Sequence, residues 1–167
     1  MNKALLSSKS SEWETPRDFY NFLDKKFHFE IDPCATYENK KCPMYFSIAV
    51  DGLSVDWGQR RYFMNPPYGY QIRHWIRKAY ESSLNGALVV CLIPARTDTS
   101  YWHTYCMRGT IYLIRGRLKF TSRTFVESNG DLKLVPAPFP CALVIFGDGY
   151  NDTKVVRSLN WKGRYSD

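Results

Sequence analysis

A chain of 167 residues with 44% hydrophobic and 16% aromatic side chains carries enough apolar surface for one packed core, which excludes a disordered polymer and leaves little room for a second domain. Lys and Arg outnumber Asp and Glu by 23 to 16, a formal charge of +7, and this favours a polyanionic partner such as nucleic acid, although charge alone fits a merely soluble basic protein equally well. Five scattered cysteines without CxxC spacing argue against a disulfide framework or a zinc site, and the longest apolar run, residues 87–93, is far shorter than the roughly 20 residues of a membrane helix.

Residues 1–12, rich in Ser and Lys, read as a flexible leader, and residues 13–167 as one domain. Thr15 sets a capping hydroxyl before Pro16, and a helix over 16–26 follows with Phe19, Phe22 and Leu23 on one face. Residues 27–32 alternate as a strand that Pro33 ends. The stretch 34–59 is irregular, with short candidates only at 44–47 and 53–57.

A strand over 61–64 stops at Asn65-Pro66-Pro67-Tyr68-Gly69. Over 70–84, Ile72, Trp75, Ile76, Ala79 and Tyr80 recur at helical spacing, and Asn85-Gly86 ends the helix. Residues 87–93 form a continuous apolar run of the kind buried in parallel sheets. Asp98 or Thr99 is placed to cap a helix to about 107, and 110–114 is a further strand. Asn129-Gly130 between 124–128 and 131–135 signals a hairpin, and 141–146 is a last apolar strand. Gly147-Asp148-Gly149 lacks a third glycine and a following βαβ unit, so it reads as a turn rather than a nucleotide loop. Strands and helices thus alternate, which means a mainly parallel sheet with helices on its faces.

The chemistry concentrates at residues 65–68. In an open α/β sheet, ligands collect at the carboxyl ends of strands, where this tetrapeptide falls. The prolines fix φ and remove two backbone donors, leaving the Pro66 carbonyl and the Asn65 side-chain oxygen as acceptors able to converge on one amino group. Tyr68 offers a ring face for a base extruded from a duplex. Asn and Pro also dominate ordinary turns, but the strand before, the helix after and the tyrosine in fourth place favour chemistry.

With Trp13-Glu14-Thr15-Pro16, Asp32-Pro33-Cys34-Ala35-Thr36, Asp51-Gly52-Leu53, residues 65–69, the 93–99 segment and Arg115-Gly116-Arg117-Leu118-Lys119-Phe120, the sequence resembles the phage-type DNA N6-adenine methyltransferases, a compact branch of the class I S-adenosylmethionine-dependent enzymes. The resemblance implies a Rossmann-like three-layer α/β sandwich, its mostly parallel central sheet carrying an antiparallel strand near one edge. It makes Asn65, Pro66, Pro67 and Tyr68 the catalytic motif. S-adenosyl-L-methionine is the implied cofactor, held by Trp13, Thr15, Pro16, Asp32, Pro33, Ala35, Asp51 and Asn65, even though the glycine-rich FxGxG turn usual in class I enzymes is missing after the first strand. Asp32 is assigned to the cofactor's amino group and Asp51 to its ribose or adenine.

Double-stranded DNA is the implied partner, with contacts from Tyr68, Arg96, Arg117, Lys119 and Arg123. The predicted hairpin either reads DNA or covers the sheet edge. No metal is expected, since His28, His74 and His103 are scattered without carboxylates at ligand spacing. A phage- or prophage-encoded protein of the bacterial cytoplasm, monomer or homodimer, is expected. Methylation of RNA adenine or of protein glutamine, and a catalytically silent binding module of the same fold, are the rival readings.

Overall fold

The computed structural model describes residues 13–163 apart from the side chains of residues 123–125, so the expected leader over 1–12 and the side chain of Arg123 lie outside the described residues. The elements in chain order are α1 (Arg17–Phe27), β1 (Ile31–Asp32), β2 (Met44–Tyr45), β3 (Arg61–Met64), α2 (Ile72–Leu84), β4 (Leu88–Pro94), α3 (Ser100–Thr104), β5 (Thr110–Ile114), β6 (Lys119–Val126), β7 (Leu132–Pro136), β8 (Cys141–Phe146) and β9 (Val156–Leu159). Seven strands form one sheet in the order β2-β1-β3-β4-β8-β5-β9, while β6 and β7 form a separate two-stranded sheet, with a single antiparallel bridge from Thr121 of β6 to Glu14.

Every neighbouring pair in the large sheet is parallel except β8 with β4 and with β5. Because β8 reverses direction against both neighbours, β5 and β9 run the same way as β3 and β4. The carboxyl ends of β1, β3, β4, β5 and β9 therefore share one rim, where an open α/β sheet collects its ligands.

The middle of the sheet is dry on both faces. Along β4, Val89, Cys91 and Ile93 join Ile72, Trp75, Ile76 and Ala79 of α2 and Trp102 of α3 in one core. Leu88, Val90 and Leu92 join Phe19, Tyr20, Leu23 and Phe27 of α1 in a second. The two-residue period of a strand sends alternate side chains to opposite faces, and an uninterrupted apolar run is what burial on both faces requires. The result is three layers, the Rossmann-like arrangement expected from the sequence, with β8 third from the β9 edge.

Several local expectations change. Helix α1 runs on to Phe27, and His28 closes it in the left-handed region with φ 52° and its N–H on the Asp24 carbonyl, so the strand expected over 27–32 shrinks to Ile31–Asp32. Phe22 points outward, and Tyr20 takes its place on the buried face. Neither Thr15 nor Thr99 caps its helix through its side chain. The Thr99 hydroxyl donates instead to the Arg96 carbonyl at 2.7 Å.

Helix α3 stops at Thr104, and residues 106–108 tighten into a 3₁₀ turn. Residues 53–57 form no strand, for Trp57 turns its indole N–H back onto the Gly52 carbonyl at 2.7 Å. Strand β9 was not anticipated, because Val156–Leu159 is an edge strand with no apolar alternation to betray it. Gly147, Asp148 and Gly149 all have positive φ, the tight turn expected of them.

Candidate active site

At the carboxyl end of β3 the chain leaves a fully buried Met64 and enters the Asn65-Pro66-Pro67-Tyr68 corner. The Asn65 side-chain amide donates to the Trp13 carbonyl at 2.7 Å and to the Thr15 hydroxyl oxygen at 3.0 Å, so both amide hydrogens are engaged. Its Oδ1 accepts the Tyr68 hydroxyl at 2.7 Å. A carbonyl oxygen has two lone pairs, which leaves one for a further donor. What Asn65 can still offer is therefore acceptor capacity alone.

Tyr68 is half-buried, and its hydroxyl also lies 3.3 Å from the Leu92 carbonyl. Its ring meets Phe139 and Phe120 edge-on, with centroids 5.5 and 6.4 Å away. Burial pushes the phenol well above its ordinary pKa, which keeps it a neutral donor. The Cys34 thiol donates to the Asn65 backbone carbonyl at 3.4 Å, tying the loop after β1 to the corner.

Residues 13–15 act as a strap across this corner. Trp13 packs edge-on against Phe120 and Phe139, at 5.7 and 5.3 Å. Glu14 receives the Thr121 backbone N–H from β6 at 2.9 Å. Its carboxylate holds the Lys41 ammonium at 2.8 Å, with both side chains under a tenth exposed. Thr15 contributes the hydroxyl that Asn65 uses, the role it takes in place of a helix cap.

Beside the corner lies a cavity of about 350 Å³, at the lower end of the roughly 300–1,000 Å³ usual for cofactor-sized ligands. Pro33, Ala35 and Asp51, expected at the cofactor, line it together with Pro67 of the corner. Phe46, Leu53 and Trp75 supply apolar wall, and Asn39 and Gln71 polar points. A smaller polar cavity shares Cys34 and Asn39 with it and brings Thr15, Asp32 and Asn65 together with Glu14 and Lys41. Asp32 is buried, and burial pushes its carboxyl up to about 6 in spite of backbone N–H bonds from Cys34 and Lys41.

Trp13 is an anchor packed on the hairpin side, and Pro16 lines a third, separate cavity beside Arg117 and Lys119. Sequence reasoning passed over Gly52. A Cβ there would stand 2.2 Å from the Pro33 carbonyl oxygen and 3.1 Å from the Trp75 ring, so only glycine lets the 51–53 turn press against the loop after β1. The Asp51-Gly52 dipeptide was the available signal. Asp51 itself adopts φ 56° and turns its carboxylate to the Leu53 N–H at 3.2 Å.

Of the residues expected at DNA, Arg96 is exposed just beyond β4, its guanidinium 6.0 Å from the Phe139 ring. Arg117 and Lys119 lie in and just after the link from β5. Arg60 and Arg61 sit at the opposite, amino end of β3, both bonded to the Glu30 carboxylate. The hairpin stands as its own two-stranded sheet, with Phe120 and Ser122 buried at its base and Leu134 exposed. Among the described residues no group of three His, Cys, Asp or Glu side chains is placed to hold a metal, and no helix is long and apolar enough to cross a membrane.

The family model for DNA N-6-adenine-methyltransferase (Dam) matches residues 3–161. The chain is 28% identical over 113 residues to the DNA N-6-adenine-methyltransferase of Haemophilus phage HP1 (strain HP1c1), covering 65% of each. It is 28% identical over 104 residues to the DNA N-6-adenine-methyltransferase of Escherichia phage T1, covering 61% of this chain and 43% of that protein. The chain thus spans less than two thirds of the length of either relative.

Proposed function

Since the chain belongs to the DNA N-6-adenine-methyltransferase (Dam) family, we propose that it transfers a methyl group from S-adenosyl-L-methionine to the N6 amino group of adenine in double-stranded DNA. The observation that carries this is the polarity of the corner. Both hydrogens of the Asn65 amide are spent on the strap, leaving an oxygen acceptor next to a cofactor-sized cavity.

An exocyclic amine is a weak nucleophile while its lone pair is delocalised into the ring. Asn65 Oδ1 and the Pro66 carbonyl, accepting its two hydrogens, favour the pyramidal nitrogen whose lone pair is free. The prolines hold these acceptors in one geometry, and orientation supplies much of the rate gain. Tyr68 serves twice, its hydroxyl steadying Oδ1 and its ring giving the extruded base a surface to stack on.

The residues fit the cofactor. Pro33, Ala35 and Asp51 line a cavity with apolar walls and a few polar points, and Asp32 offers a buried carboxylate in the adjoining polar cavity for the amino group. The sulfonium of S-adenosyl-L-methionine supplies an electrophilic methyl, so no covalent enzyme intermediate is needed. Arg96, Arg117 and Lys119 supply cations for the phosphates, and Arg123 is assigned the same role from the sequence alone. The protein works as one domain over residues 13–167 in the cytoplasm of a phage- or prophage-carrying bacterium, alone or as a homodimer.

The test is digestion of treated duplex to nucleosides, with RNA and protein substrates alongside. N6-methyladenine from DNA is expected, and Asn65→Ala should abolish it while leaving cofactor affinity by calorimetry unchanged. Methyl groups found only in RNA or protein, or an Asn65→Ala loss of cofactor affinity as large as its loss of activity, would refute the assignment.

A further inference from the structure

The third cavity, of about 90 Å³, sits apart from the cofactor and the corner and is strongly basic. Arg115, Arg117, Lys119 and Lys162 line it against one carboxylate, Asp18. These residues come from three stretches: the link after β5 with the first residue of β6, the segment after β9, and the start of α1. Since β5 and β9 run parallel to β3 and β4, all three segments lie on the rim that carries Asn65.

Asp18 does little to cancel the charge. Its Oδ1 accepts the Phe19 N–H at 2.8 Å, and its Oδ2 is 3.8 Å from Lys162 Nζ with both side chains well exposed, a weak pairing in water. Lys162 Nζ also lies 4.6 Å from the centre of the Trp161 ring, itself part of the cavity wall. The 11-residue α1 begins here without a side-chain cap and adds the positive end of its dipole.

We propose that this cavity seats a backbone phosphate of the DNA duplex near the target adenine. Pro16 lines the cavity beside Thr15, which bonds Asn65, and Phe120, next to the lining Lys119, lies 6.4 Å from the Tyr68 ring, so short spans of chain join the cavity to the corner. The inference rests on the DNA reading above and adds to it Arg115 and Lys162. Anchoring the backbone there sets which base reaches the corner, with Pro16 in the cavity wall and Thr15, its neighbour, holding Asn65.

The test measures duplex binding by the full chain across a salt series, for the wild type, Lys162→Gln, Arg117→Gln and the double variant, with melting temperatures to verify folding. Each lost cation should weaken binding about eightfold near 0.1 M salt and flatten the log–log salt slope by about 0.9. Duplexes with a single neutral methylphosphonate, moved one position at a time around the target, should bind the wild type worst at one backbone position, and the double variant should be insensitive at that position. A folded double variant with the wild-type salt slope overturns the proposal, as does a positional effect that persists in it. Inorganic phosphate raising the wild-type melting temperature while the variants keep the full duplex slope also overturns it, in favour of a free-anion site. A wild type that methylates duplex in any of these cases leaves the proposed function standing, whereas one that neither binds nor methylates duplex overturns both readings.

Discussion

Cofactor affinity should depend on pH through Asp32. The carboxyl is 6% exposed and lifted to about 6, because desolvation outweighs two backbone hydrogen bonds of 3.3–3.4 Å and the nearby Lys41 cation. Glu14 already claims that cation at 2.8 Å. The other titratable groups around it, Cys34, Cys42 and Tyr20, are all pushed up by burial and stay neutral near pH 7. Holding a cofactor ammonium requires the carboxylate, so affinity is present above pH 6 and lost as pH falls through it. The ionised fraction drops from about ten elevenths at pH 7 to about one eleventh at pH 5, a tenfold loss worth about 1.4 kcal/mol. Calorimetric titration at pH 5, 6, 7 and 8 reads this, and Asp32→Asn should flatten the profile. The free protein should show the opposite sign. A folded pKa raised above 3.8 favours the protonated fold, so that stabilisation is full below about pH 4 and is lost by about pH 6, on the order of 3 kcal/mol. Equal wild-type affinity at pH 5 and pH 7 would refute the reasoning.

Gly52→Ala should close the larger cavity, since its Cβ meets the Pro33 carbonyl at 2.2 Å; an overpacking cost of about 1–3 kcal/mol lowers the melting temperature by about 3–10 °C, and calorimetry should find cofactor affinity down at least about tenfold. Thr15→Val keeps the shape but leaves one Asn65 N–H without its 3.0 Å acceptor. Its kcat should fall about tenfold at unchanged cofactor affinity, a penalty in the range of about 1–3 kcal/mol for an unmade hydrogen bond, and Thr15→Ser should restore it. Lys41→Met removes the 2.8 Å ion-pair partner of the largely buried Glu14 carboxylate and should cost about 3–5 kcal/mol by denaturant unfolding, whereas Lys41→Met with Glu14→Leu should recover most of that stability.

Elements whose pattern depends on their own burial were legible in the sequence. Strands β4 and β8 are apolar throughout because both faces are covered, and β3 and β5 fell at their expected positions because most of their side chains are buried. Strand β9 had no such signature, since an edge strand is held by backbone bonds to β5 that any side chains allow. Helix α1 outran its expected end because His28 accepts a left-handed cap that glycine usually supplies.

The corner divides in the same way. Its four residues, between a strand and a helix, announce two acceptors and an aromatic ring. Which way the Asn65 amide faces is decided by the Tyr68 hydroxyl on its oxygen and, 50 and 52 residues upstream, by Thr15 and Trp13 on its nitrogen, and no local spacing contains that second pairing. Thr15 before a proline carries every local mark of a helix cap, yet its hydroxyl accepts the Asn65 amide at 3.0 Å and α1 starts without a side-chain cap. The acceptor polarity of the corner thus belongs to the strap as much as to the motif, and a chain retaining residues 65–68 but losing Trp13–Thr15 keeps only the Tyr68 hydroxyl to orient that amide, a group that can accept as well as donate and so holds the oxygen outward less firmly than the strap does.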